Sequence, residues 1–371
     1  MIISERLLRS EHNNLTFARI ALASSVIYSH CAWQITGSDQ DALSTYMGAP
    51  VSTFAVDGFF FISGFLVYRS LIAKPNIRRF AIARLARLWP GLAVMVLVVS
   101  AIGAFFSQDG LTEYLWSTAR GFFIHNLTFF YASYTLPGVN CPDGSCIING
   151  SLWTIPWEVR CYCTLALLYV TRLYKRKAMI GIVLPMTLLL GVLYSLPQIN
   201  DWAHQSGPGG YAYYLDRADR LWFAFALGIA AYLLIDRVNL TWPRLLAGLI
   251  VSVTVNAFVP SLNTHVHSIL AGYIVLSLGF LTCKTFGPFS AKWPDYSYGL
   301  YIYAFPVMLV LHWIGINTLP ALVLANFGVT LLFAAASWHF VEKPAMDYIR
   351  SFDKRQYANK VGASAAHAIK G

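Results

Sequence analysis

The sequence predicts an all-α fold: a polytopic bundle of about ten membrane-spanning helices, with both termini on the cytoplasmic side. Three observations predict it. The first is composition: 57% of the 371 residues are hydrophobic and only 12% are charged, where a soluble domain carries about 25% charged residues. The second is length patterning: apolar stretches of the roughly 20 residues that cross a bilayer recur from residue 15 to residue 341. The third is charge placement: clusters of Lys and Arg fall in alternate connections between those stretches, the pattern of cytoplasmic loops facing anionic lipid.

Taken in order, the predicted spans are 15–34, 51–72, 86–106, 152–172, 177–196, 219–235, 244–260, 266–283, 297–315 and 320–341. With the N-terminus inside, the connection between the second and third spans is strongly basic (Arg69, Lys74, Arg78, Arg79, Arg84, Arg87), as are 172–177 and the tail from Lys343. Only Arg120, Arg217 and Arg220 fall on the opposite side, and Arg19 and Arg160 lie within spans. The net charge of +10 is thereby accounted for by the membrane, and the clustered basic loops argue against a nucleic-acid partner. The first apolar stretch contains Arg19 and His30 and lacks a small-residue cleavage site after it, so it reads as a retained helix. Residues 1–345 form one transmembrane domain. Residues 346–371 turn polar and small and read as a cytoplasmic tail.

Between the third and fourth spans lies the longest loop, about 107–150, placed outside. Its segment 119–132 is apolar but short and reads as interfacial or re-entrant. The loop also holds Cys141 and Cys146, which are either a small-loop disulfide of an oxidising compartment or two free thiols. Zinc is disfavoured because no second ligand pair has suitable spacing. Cys31, Cys161, Cys163 and Cys283 sit in or near spans and read as buried thiols.

Ionisable groups inside a bilayer are costly and mark function. Arg19 and His30 stand eleven residues apart on the first span, which returns them to nearly the same helix face about 16 Å apart along the axis. That alignment suggests an internal polar path. Glu158 enters the fourth span from outside at a depth similar to that of His30, so the carboxylate is expected to reach the imidazole and orient it; the alternative is a structural pairing with Arg160 or Arg19. Arg84 and Arg87, three apart at the start of the third span, share a face and can converge on one phosphate. Trp153 and Trp157 flank Glu158 and offer sugar-stacking surfaces. His265, His267 and His312 have no fixed spacing and read as interfacial, not metal-binding.

Six stretches, in order along the chain, resemble acyltransferase family 3, the membrane-bound acyltransferases that modify bacterial surface polysaccharides and lipid-linked sugars: NNLTFARIALASSVIYSH (13–30), VDGFFFISGFLV (56–67), FAIARLARLWPGL (80–92), GSLWTIPWEVRCY (150–162), YSYGLYIYAFPV (296–307) and FVEKPA (340–345). The resemblance implies an O-acyltransferase of the bacterial inner membrane. It would move an acyl group, acetyl by default, from acyl-CoA to a hydroxyl of a carbohydrate or glycolipid, with no metal. It also implies that His30 is catalytic, that Arg19 supports the active site, and that Arg84 and Arg87 serve the acyl-CoA side. Thr16 and Ala304 depart from the Asp and His that many members carry there, which puts the acceptor in question. Two rival readings remain at this stage: a transporter of carbohydrate or acyl groups, and a shuttle that hands its acyl group to a separate enzyme.

Overall fold

The computed structural model describes residues 5–139, 147–206 and 211–351. Cys141 and Cys146 lie outside the described residues, as does the tail from residue 352. Among the described residues the chain is helix and connecting loop, with one isolated antiparallel bridge between Ser107 and Val139. In chain order the main helices are α1 (Leu15–Thr36), α2 (Val51–Ala73), α3 (Ile77–Gly103), α4 (111–128), α5 (Thr154–Val170) and α6 (Arg176–Tyr194). They continue with α7 (Pro197–Ser206), α8 (Tyr211–Leu233), α9 (Trp242–Phe258), α10 (Pro260–Phe286), α11 (Ser297–Trp313) and α12 (Leu319–Ser351).

Every predicted span coincides with a helix. Five of them, α2, α3, α6, α10 and α12, are long and apolar enough to cross a membrane, and they make this a membrane protein. The other five are shorter or less apolar; α5, α9 and α11 have 17 residues each. The expected interfacial segment is helical and begins earlier, at Leu111. The last helix runs to Ser351, past the expected domain boundary at 345. Cys31, Cys161 and Cys283 are buried as expected, but Cys163 is exposed, because it projects from the outer face of α5.

Helices α2 and α10 form the centre: 67% and 72% of their apolar windows are buried, against 17% for α6 at the periphery. Around α2 pack α1, α8 and α10, while α11 joins α1 to α12. Apolar side chains provide little drive between helices in lipid, so close packing of small residues takes over. The contact between α2 and α8 shows this reciprocally. A Cβ on Gly64 would stand 1.9 Å from the Phe225 carbonyl oxygen, and one on Gly228 would stand 2.0 Å from that of Phe61. The same interface contains a charge pair that the sequence reading did not single out. Asp57, fully buried in α2, accepts from Arg220 Nε at 2.7 Å and from Ser268 Oγ at 2.9 Å.

Local signals fix the ends that position the site. Asn76 caps α3 by accepting from Arg79 N at 2.9 Å, as short polar side chains do at helix starts. Asn14, buried at the mouth of α1, donates to Gly287 O at 2.9 Å and accepts from Ser290 N at 3.1 Å. It thereby ties the loop 287–296 to the base of α1.

Gly64→Ala and Gly228→Ala are expected to cost about 1–3 kcal/mol each through overpacking. Thermal unfolding of the detergent-purified protein checks this, with Gly328→Ala as a neutral control, because a Cβ there meets nothing within 4 Å.

Candidate functional site

The polar ends of α1, α3, α5 and α11 converge on one cavity of about 120 Å³. Its walls include Arg19, Arg84, Arg87, Glu158, Tyr162 and Tyr298. Four of the residues expected from sequence to carry chemistry therefore share a single chamber.

Their states differ. Arg87 is neutralised twice, donating through Nη2 to Asp295 at 3.0 Å and through Nη1 to Glu342 at 3.1 Å. Arg19 donates to the same Asp295 oxygen at 2.7 Å. Burial by itself would push the Asp295 carboxyl up, but Arg19, Arg87 and hydrogen bonds from Ser297 outweigh it and hold the group at about 2. Glu342 is wholly buried and also accepts from Ser337 Oγ at 3.0 Å. It ends a widened π turn, Trp338–Glu342, of the kind that re-aims a side chain inside a helix. The expectation of two guanidiniums converging on one anion thus needs correction. Arg87 already has its counter-charges, and Arg84 alone has no carboxylate partner among the described residues. Arg84 Nε is buried without a hydrogen bond, and the guanidinium stands 6.0 Å above the Tyr162 ring.

Glu158 is bound by Tyr162 OH and by Ser63 Oγ, the latter at 3.4 Å. No hydrogen bond joins it to His30, so the expected orienting contact is not realised in this structure. The reason is rotational: Thr154, Ile155, Glu158 and Tyr162 form the cavity face of α5, and Tyr162, one turn on, captures the carboxylate.

His30 lies outside the cavity lining. Its ring packs edge-to-face on Phe305, with centroids 5.1 Å apart, and its Nδ1 is buried without a hydrogen bond. Helices α1 and α11 run side by side: Arg19 meets Asp295 at one end, and His30 meets Phe305 farther along. Eleven residues of α1 make that separation about 16 Å. Arg19 at the charged cavity and His30 against Phe305 thus stand at two ends of α1, and the buried residues between them include Ala23, Val26 and Ile27. Between them, Tyr301 lines the cavity one turn before Phe305 and shares a hydrogen bond of 2.8 Å with Thr154.

Trp153 and Trp157 face a different space, an open cleft of about 440 Å³ on the other side of α5. Trp157 is 7% exposed, and Arg160 lies over its ring at 4.4 Å. Gly150, three residues before Trp153, packs against Phe305, the ring that also meets His30.

Sequence reasoning missed Asp295, Glu342, Ser63, Tyr162 and Tyr298. Asp295 and Glu342 lie outside predicted spans or at the end of one, where a carboxylate attracts no notice. Their pairing with Arg87 spans 208 and 255 residues of sequence.

The acyltransferase domain model, acyltransferase family 3, matches residues 12–339. An O-acetyl transferase of Shigella phage Sf6 is 29% identical over 344 residues, covering 88% of this chain and 93% of that protein. Nodulation protein 10 of Rhizobium leguminosarum bv. viciae is 28% identical over 369 residues, covering 90% and 93%. No solved structure matches.

Asp295→Asn is expected to leave Arg19 and Arg87 under-compensated and to cost about 3–5 kcal/mol at neutral pH. A carboxyl held down to about 2 stabilises the fold fully above its unfolded value of about 3.9, and that contribution fades as pH falls toward 2. The gap in melting temperature between the native protein and the variant should therefore be constant above about pH 5 and narrow below about pH 4.

Proposed function

Because the chain belongs to acyltransferase family 3, we propose that it is a bacterial inner-membrane O-acyltransferase that moves an acetyl group from acetyl-CoA to a hydroxyl of a cell-surface or lipid-linked carbohydrate. The observation that carries the donor assignment is Arg84, an unpaired guanidinium in a cavity whose other central arginine is already neutralised. An unmatched buried cation calls for an anion, and the guanidinium fork suits phosphate. The relative named O-acetyl transferase supports the transfer of an acetyl group to an oxygen.

In this reading the phosphates of the donor bind at Arg84, with Arg87 fixed beside it by Asp295 and Glu342. The pantetheine arm extends along α1 past Arg19, bringing the thioester about 16 Å onward to His30. His30, the catalytic residue, takes the proton from the acceptor hydroxyl as that oxygen attacks the thioester carbonyl. The tetrahedral intermediate collapses, the C–S bond breaks, and the imidazolium returns its proton to the departing thiolate. Nδ1 has no hydrogen bond among the described residues, which leaves that nitrogen free to accept the proton. Glu158, held by Tyr162 and Ser63, shapes the chamber beside Arg84 instead of orienting His30. Trp153 and Trp157 mark the acceptor side.

His30→Ala is expected to reduce transfer by at least about 10²–10⁴ fold, the range for loss of a general base, while acetyl-CoA still raises the melting temperature. Arg84→Gln should lose that thermal protection. Mass spectrometry of surface glycans from cells lacking the gene, or carrying it intact or as His30→Ala, reads the first effect as an acetyl increment present only with the intact gene. Protection by a free sugar or ion but not by acetyl-CoA would favour a transporter.

A further inference from the structure

The cleft behind α5 has a chemistry that the transfer reaction by itself does not require. Its described walls include Tyr131, Tyr134, Trp153, Trp157, Tyr213 and Tyr214, two each from the 131–135 loop, the start of α5 and α8. Tyr131, Tyr213 and Tyr214 are exposed, and Trp153 is half-buried. Two guanidiniums stand over these rings. Arg160 lies 4.4 Å from the Trp157 centroid and 5.5 Å from that of Tyr214. Arg217 lies 3.5 Å from Tyr213 and 5.2 Å from Trp153.

A guanidinium held over a ring by cation–π attraction keeps N–H donors available to a ligand. Each arginine has five such donors. Arg160 uses one on Phe130 O at 2.9 Å, and Arg217 uses one on Tyr213 O at 3.3 Å, while Arg217 Nε is buried without a hydrogen bond. Among the described residues no carboxylate pairs with either arginine, and none lines the cleft. Arg19 and Arg87 are paired with Asp295, and Arg220 with Asp57, whereas Arg160 and Arg217, like Arg84 in the other cavity, have no such pairing among the described residues. Two preorganised, unneutralised guanidiniums among aromatic faces form a site for a molecule with an apolar ring face and a negative charge.

We propose that this cleft is the acceptor subsite and that it selects a saccharide carrying an anionic group. The C–H face of the sugar ring packs on Tyr213, Tyr214 and Trp153, while its carboxylate or phosphate bridges Arg160 and Arg217. This rests on the acyltransferase reading for the word acceptor, but the binding itself does not depend on the donor. The position is consistent with transfer: Gly150 and His30 meet the same Phe305 ring, so the segment leading to Trp153 starts at the level of the imidazole.

Saturation-transfer NMR on the full chain in zwitterionic lipid nanodiscs tests the proposal with four probes: glucose, glucuronate, glucose 1-phosphate and glycerol 1-phosphate. The expected result is ring-proton saturation for glucuronate, glucose 1-phosphate or both, with glucose bound about tenfold more weakly, as loss of a charge-assisted contact implies. Whichever anion gives the stronger signal identifies the charged group. Arg217→Gln and Arg160→Gln should bring the anionic sugars down to the level of glucose, and Trp153→Ala should weaken all three sugars. Arg217→Lys, which keeps the charge and guards against misfolding, should retain part of the preference. Equal saturation by glucose and the anionic sugars, or no effect of the arginine variants, would overturn the charge selection. Glycerol 1-phosphate binding as well as glucose 1-phosphate would overturn the saccharide assignment and leave a phosphate or lipid-headgroup site. Acetyl-CoA protection of the same samples separates the two readings. Its survival in a protein that fails the saccharide test leaves the acyltransferase standing, and its absence with saccharide binding intact removes the donor assignment alone.

Discussion

The structure depends on the double pairing of Arg87. A guanidinium drawn into a membrane protein must find counter-charge, and this one finds two carboxylates, from the loop before α11 and from the π turn near the chain's end. Asp295 also holds Arg19. Four charges thereby fasten α1, α3, α11 and α12 at one end of the bundle. Asn14 secures the loop that carries Asp295, so a polar side chain at the start of α1 sets the geometry of charges at the cavity.

That arrangement gives Arg84 its meaning. Both arginines lie three residues apart on α3 and line the same chamber, yet only one is satisfied from within. Arg87 is committed to architecture, and it is Arg84 that the proposed function assigns to the donor. A second contrast runs along α1, from the crowded charges around Arg19 to His30, whose Nδ1 has no partner. Charge is concentrated where a donor's phosphates would bind, and an uncommitted base stands where a neutral thioester would react.

The sequence made much of this legible. Residue spacing placed Arg19 and His30 on one face of α1, where Arg19 meets the loop before α11 and His30 meets α11 itself. It placed Arg84, Arg87 and Glu158 among the groups worth attention, and all three line one cavity. It did not reveal that Arg87 is internally neutralised or that Glu158 turns to Tyr162, because both facts depend on contacts between distant segments. Asp57 was overlooked inside an otherwise apolar span; its partner Arg220 lies 163 residues away. The tryptophans were noticed as a pair, but spacing gives no account of the tyrosines and arginines that α8 and the 131–135 loop bring to them. Helix existence follows from local periodicity, whereas which charge remains unpaired is decided only by tertiary packing.

The central claim is that donor and acceptor meet from opposite ends of the α1 column. Proteoliposomes with oriented protein, acetyl-labelled acetyl-CoA on one side and an acceptor glycan on the other, test it directly. The account predicts labelled glycan only when acetyl-CoA is on the Arg84 side and the glycan is on the Trp153 side. Labelling that requires both substrates on the same side would contradict it.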